Sequence, residues 1–319
     1  MQGLDAAART VLMQCMGAKS GEALCIVYDP PKAAIARAIM DVASHEGLDT
    51  VSLQMSVGSR DGEEPPASVA AAMQNADIVL CVTSRSLSHT KARRDANAAG
   101  ARIASLPGIT EEMLVRTMQA DYAAVAQLGQ AIALALHGAA RVHVKSAAGT
   151  DLHIPIKGRP VMQETGLLHN TGDFGNLPAG EVALAPLEGA THGTLIVDGS
   201  MSGAGKLEEP LTIKIEDGFA VSITGGAAAT KLHQLLEPLG RDAYNIAELG
   251  IGTNPAAIIT GKVLEDEKVL GTIHVALGNS LSMGGSVDVP IHLDGIVRNP
   301  TVVTDTGSTI LKDGEMQIG

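Results

Sequence analysis

His292-Leu293-Asp294 stands in the run VPIHLDGIV, which reads as a strand. Residues i and i+2 of a strand face the same side, so an imidazole and a carboxylate project together. Such a pair is what a hard or borderline divalent cation takes as ligands. Upstream, His274 lies in the apolar run GTIHVALG, Glu248 in IAELGIGTNP and Glu181 in NLPAGEVALAP. A carboxylate buried without a partner is costly. Two of them near two histidines and an aspartate can share a dication that stabilises the whole group. Taken singly, each signal is ordinary: HxD recurs on strands by chance, and a lone glutamate is usually a salt-bridge partner. Gly180, Gly250, Gly252, Gly278, Gly284 and Gly285 flank these residues and permit close backbone approach, although glycine also simply marks turns. The chemistry expected of such a centre is a metal-activated water and a polarised carbonyl, with Glu181 or Glu248 as proton shuttle.

A second group of reactive side chains lies at TSRSLSHTKARRDA, residues 83–96, after an apolar run that reads as a strand. Open α/β sheets bind ligands at the carboxy ends of their strands. Ser86, His89 and Arg93 are therefore candidate substrate-binding residues, with His89 also a candidate catalytic group. Arg93 suits a substrate carboxylate. It shares a helix face with His89 if a helix begins near Ser88. The plainer reading makes Ser88 a helix cap and leaves His89 and Arg93 as solvated helix residues. The other histidines have structural explanations. His45 ends a helix, His137, His143 and His153 alternate with apolar residues, His192 falls in a polar loop and His233 in a helix. No GxGxxG phosphate loop occurs.

Two kinds of texture must position these residues. Up to about residue 140, apolar runs at 23–29, 50–55, 76–83 and 101–108 alternate with helical patterns at 33–46 and 68–75. This predicts βαβ units and a parallel sheet. A long helix is expected over 110–137, with Thr110 as its cap. Beyond it come alternating runs at 141–146, 151–156, 193–199 and 211–223, with Asp217-Gly218 as a hairpin turn, and helices at about 227–238 and 254–262. The fold class expected is an α/β amino-terminal domain with a parallel sheet, plus a mainly antiparallel α+β carboxy-terminal domain. The boundary is expected near 138–142, giving a substrate-shaping domain at 1–140 and a metal-binding catalytic domain at 141–319.

Composition narrows the partners. The formal net charge is −12, there is no Trp, and Tyr and Phe number 3 and 2, so neither phosphate attraction nor base stacking is provided for. Nucleic acid is excluded as a partner. Cys15, Cys25 and Cys81 form no CxxC; Cys25 and Cys81 sit in apolar runs and read as buried thiols. No signal peptide and no membrane span is read, which makes the cytoplasm the expected compartment.

NLPAGEVALAP, AELGIGTNP, GTIHVALGNS and IHLDGIVRNPTV, in this order and spacing, resemble the motifs of the thermophilic metallo-aminopeptidases, the aminopeptidase T and aminopeptidase S group. The resemblance covers most of residues 140–305. It implies a dinuclear centre of Zn, Co, Mn or Fe held by Glu181, Glu248, His274, His292 and Asp294, a homodimer, and hydrolysis of a small peptide, amide or modified amino acid. Where those peptidases carry a tyrosine seven residues after the histidine of the third motif, this chain has Leu281. The 2,5-dihydroxypyridine dioxygenases of the same superfamily are similar in the IHLDGIVRN and ADIVLCVT…GARI segments. They imply the alternative of a mononuclear non-haem iron ring-cleaving dioxygenase, with a functional histidine at the position of His89. They carry His where this chain has Glu248, and they lack counterparts of Glu181 and His274. A third expectation is a binding protein that keeps the metal cage without catalysis.

Overall fold

Apolar runs without polar interruption form strands covered on both faces. In the computed structural model, which describes residues 2–319, the first such strands are Ala23–Tyr28, Ile78–Val82 and Arg102–Ser105, joined by the more polar, part-exposed Asp49–Gln54. They pair in parallel, with Asp49–Gln54 at one edge and the sheet extended beyond Arg102–Ser105 by Phe174–Asn176. Every residue of Ile78–Val82 is buried. Each large aliphatic side chain so buried contributes about 1.5–3 kcal/mol. Cys15, Cys25 and Cys81 are free, buried thiols. Burial raises all three, Cys25 to about 11 and Cys81 to about 12, so they are neutral packing residues.

Helices Ala33–His45 and Ala67–Gln74 fall where the periodicity placed them. The single helix expected over 110–137 is two, Glu111–Thr117 and Tyr122–Leu136. Thr110 caps the first, accepting from the Met113 amide at 3.2 Å. The break has a local cause: the Asp121 carboxylate accepts from the Ala123 amide at 2.9 Å and so starts a new helix. Two compact units result, one of the residues through Ala123 with Thr165–Ala179, the other of Ala124–Glu164 with Gly180–Gly319. The chain thus changes unit within the second of these helices rather than at 138–142, and Phe174–Asn176 returns to the first unit's sheet. The reason is packing: Ile132 and Leu136 belong to the core of the second unit.

The second unit holds an eight-stranded and a seven-stranded sheet, both antiparallel. Leu152, Ile154, Leu195 and Val197 of the first sheet and Leu249, Ile251, Val275 and Leu277 of the second share one buried cluster. The hairpin Leu211–Glu216 to Phe219–Thr224 turns at Asp217 and Gly218, with φ 48° and 75°, the positive pair that a type I′ turn requires. The helix expected at 227–238 is Gly226–Leu236. The one expected at 254–262 is absent. There the Asn254 side chain accepts from the Ala256 amide, and Asp266 accepts from the amides of Thr260 and Gly261, which folds the segment into turns ahead of a short helix Val263–Asp266. His192, expected in a loop, opens the strand His192–Val197. Among the described residues no helix is long and apolar enough to cross a membrane.

Candidate metal centre

The strands His292–Val297, Ile273–Gly278, Ile246–Gly252 and Glu181–Leu184 lie side by side in the seven-stranded sheet. Alternation sends Leu249, Ile251, Val275, Leu277, Leu293 and Val297 to the core. The opposite face carries the five candidate ligands. On one side each ligand is paired with a residue that has little or no side chain: Glu181 with Gly252, Glu248 and Asp294 with Ala276, His274 with Gly250, His292 with Gly278, while Glu164 and Ile296 stand on the other side of Glu181 and His274. This register makes room for charged side chains inside an apolar unit. At Gly250 the need is absolute, since a Cβ there would lie 2.0 Å from His274 Nε2.

The sheet brings all five expected ligands together as two trios that share Glu248. Glu181, Glu248 and His274 offer donor atoms within 4.8 Å of one another, and so do Glu248, His292 and Asp294. Glu248 Oε1 lies 3.2 Å from His274 Nε2 and Glu248 Oε2 3.0 Å from His292 Nε2. His292 Nε2 is 3.3 Å from Asp294 Oδ1. His292 Nδ1 donates to the Asn279 carbonyl at 2.8 Å, which fixes the tautomer that turns Nε2 inward. Glu181, Glu248 and His274 are buried, whereas the His292 side chain is 32% exposed, so the outer trio is the open one.

A residue that the sequence reading passed over completes the inner trio. Lys268 is wholly buried, and its Nζ donates to Glu181 Oε1 at 2.7 Å, to Glu164 Oε2 at 2.8 Å and to Glu267 Oε1 at 2.8 Å. Glu181 is thereby held on one oxygen. Its other oxygen, Oε2, is buried without a hydrogen bond, 3.2 Å from His274 Nε2. The signal was available in VLEDEKVLG, a charged tetrad flanked by apolar residues.

The electrostatics follow from this crowding. Burial raises the Glu181 and Glu267 carboxyls, and the Lys268 charge only partly offsets that. Burial would lower Lys268, but the charges of Glu164, Glu181 and Glu267 win and hold it protonated. Glu248 stays well below the usual carboxylate range despite its burial, because His274 and His292 both hydrogen-bond it. Burial would likewise lower His274, yet Glu248, Glu181 and Asp294 raise it to about 9. His292 is raised well above the ordinary range by Asp294 and Glu248, again against burial. In the metal-free protein two imidazolium groups therefore stand where cations are wanted. An orphaned carboxylate oxygen and paired imidazole and carboxylate donors fit divalent metal.

Metal uptake must displace those imidazole protons. Affinity is expected to rise with pH through neutrality, where His274 and His292 are both protonated, by about tenfold per pH unit for each proton displaced. Calorimetry in buffers of different ionisation enthalpy counts the protons released. An affinity that stays flat across neutral pH would show that neither imidazole gives up a proton.

The other candidate residues lie in the first unit. Thr90, not Ser88, caps the helix Lys91–Ala98, accepting from the Arg93 amide at 3.2 Å. His89 lies in the preceding turn and is exposed, so it and Arg93 do not form one helix face. Arg93 is engaged in structure: Nε donates to the Ser88 carbonyl at 2.7 Å, Nη1 donates to Asn97 Oδ1 at 3.1 Å, and the guanidinium lies 4.2 Å from the Phe174 ring centroid. The Ser86 amide donates to Asp61 Oδ1 at 2.8 Å. Leu281 opens the 3₁₀ turn Leu281–Met283 and is 49% exposed.

A family model described as NicX, 2,5-dihydroxypyridine 5,6-dioxygenase, matches residues 10–318. A curated 2,5-dihydroxypyridine 5,6-dioxygenase of Pseudomonas putida is 29% identical over 189 residues, 55% of this chain; the match spans about half of that relative, 54% of its length. The solved structure of a 2,5-dihydroxypyridine dioxygenase from Pseudomonas putida superposes with a TM-score of 0.81 at 20% identity, covering 97% of this chain and 96% of that one. Wild-type AmpT from Thermus thermophilus superposes with a TM-score of 0.72 at 18% identity, covering 99% of both chains. At these identities the two structures speak for the fold.

The family match overturns the expectation of an aminopeptidase-type metallohydrolase or metalloprotease. Four motifs in order reported a fold shared with the aminopeptidase and a metal-type donor set. Carboxylates and imidazoles serve hydrolytic and oxidative metals alike, so they do not report the reaction. The absent tyrosine at Leu281 was the residue that spoke against peptidase chemistry.

Proposed function

The chain belongs to the 2,5-dihydroxypyridine 5,6-dioxygenase family, and from that premise we propose that it is a metal-dependent dioxygenase acting on a small hydroxylated aromatic ring, 2,5-dihydroxypyridine first among the candidates. The observation that carries the reading is the extent of the family match, which takes in every residue of both trios.

Glu248, His292 and Asp294 would hold the working ion, because this trio is open at His292. Bound there, a redox-active divalent metal such as ferrous iron would supply electron transfer between the electron-rich ring and dioxygen. The donors fit a divalent cation but do not reproduce the facial triad of two imidazoles and one carboxylate, since each trio has a single imidazole. Glu181 and His274 would hold a second ion; without one, His274 anchors the far oxygen of Glu248. The Asn279 carbonyl keeps His292 in the tautomer that presents Nε2, and the buried Glu248 stays ionised and ready to bind. His89 is the imidazole to which the dioxygenase resemblance assigns a role in the reaction.

The test is an oxygen-electrode assay of anaerobically iron-loaded protein given 2,5-dihydroxypyridine, followed also by loss of ring absorbance. Oxygen and ring are expected to disappear in equal amounts, and His292→Ala to lower the rate by more than about 100-fold. Absence of oxygen uptake with hydroxylated pyridines on Fe, Mn or Co would overturn the proposal, as would full activity in His292→Ala.

A further inference from the structure

The outer face of the eight-stranded sheet carries a row of three histidines. His143 on Arg141–Lys145 is directly opposite His153 on Asp151–Pro155, and His153 is directly opposite His192 on His192–Val197. Their rings stack, with centroids 4.1 Å apart at 16° between His143 and His153 and 5.0 Å apart at 21° between His153 and His192. Asp151 shares a strand face with His153, being two residues before it. Its Oδ1 lies 2.6 Å from His143 Nε2 and 4.0 Å from His153 Nε2. The neighbours Val142, Val144, Leu152 and Ile154 point the other way into the core, so the backbone under this row is fixed.

We propose that His143, Asp151 and His153, with His192 as a further donor, form a second metal site for a borderline divalent cation of the zinc and copper class, separate from the buried centre. Donor atoms of His143, Asp151 and His153 already lie within 4.8 Å of one another. Zinc bonds to nitrogen and oxygen are about 2.0–2.2 Å, which puts tetrahedral ligands about 3.3 Å apart. The Asp151–His143 and Asp151–His153 distances, 2.6 Å and 4.0 Å, fall on either side of that spacing, and the part-exposed rings reach it by turning about their broad terminal torsions.

Imidazole-rich donor sets favour zinc, copper and nickel over magnesium or calcium. The bound ion would tie three adjacent strands together on the solvent side.

The experiment uses full-length protein without a polyhistidine tag, stripped by chelation, and titrated with Zn²⁺ near neutral pH by equilibrium dialysis. Wild type is expected to take up one more zinc per chain than His143→Ala/His153→Ala, and His153→Ala alone to weaken that ion by at least about tenfold. His292→Ala should keep the additional ion, which separates it from the buried centre. Equal zinc uptake by wild type and the double variant would overturn the proposal. Loss of the ion in His292→Ala would do so too. His143→Gln, which keeps a polar side chain of similar bulk on the strand, repeats the comparison should the double variant prove unstable.

Discussion

Glu248→Ala is expected to abolish metal binding in both halves of the buried centre at once. Each trio contains this carboxylate, and its two oxygens face different imidazoles, Oε1 towards His274 and Oε2 towards His292. Loss of a partner outside the ligand shell typically costs about 10–100-fold in metal affinity, so removal of a ligand common to both positions should exceed about 100-fold at each. The other ligands give the control. Glu181→Ala touches only the inner trio and Asp294→Ala only the outer one. Metal content after dialysis, measured for the three variants together, should show loss of everything in the first and selective loss in the other two. Wild-type metal content in Glu248→Ala would remove the shared carboxylate from the centre altogether. The substitution also removes from His274 and His292 one of the carboxylates that favour their protonated forms, so the metal-free variant should release fewer protons on any residual binding.

What could be read without coordinates follows the range over which each signal acts. His292 and Asp294 were legible because a period of two operates within one strand. Glu181, Glu248 and His274 were legible as charges set in apolar runs. That they meet depends on four strands in register, which only their resemblance as an ordered set of motifs suggested. The parallel and antiparallel textures were local and came through. The break at Asp121 was missed because the apolar pattern runs on across it and a single side-chain hydrogen bond decides it. The return of Phe174–Asn176 to the first sheet was missed because short edge strands carry almost no periodic signal. The histidine row is invisible by the same logic: His143, His153 and His192 are neighbours only through cross-strand register. Arg93 looked free in a polar segment, and its engagement with Ser88, Asn97 and Phe174 is tertiary.

Lys268 is the case where this matters most for stability. Its tetrad is a run of four charged residues in the sequence, yet the ammonium is wholly buried among Glu164, Glu181 and Glu267. Breaking a buried ion pair by removing one partner costs about 3–5 kcal/mol, because the remaining charges stay behind. Lys268→Met keeps the length of the side chain and deletes only its charge, so it should destabilise the metal-free second unit by that amount, read from the denaturant midpoint of the transition that unit contributes. The pH dependence gives the sign. Burial already holds Glu181 and Glu267 above the ordinary carboxylate range, and without the ammonium they rise further. A carboxyl raised on folding favours the folded state while protonated and loses that contribution as pH climbs through its folded value. The deficit of Lys268→Met should therefore shrink in acid and widen towards neutral pH. Adding Glu164→Gln removes one of the repelling charges and should restore part of the loss, as groups in one network are not additive. A Lys268→Met protein within about 0.5 kcal/mol of wild type at neutral pH would mean that the three carboxylates are neutralised in some other way. The inner trio would then owe nothing to this lysine.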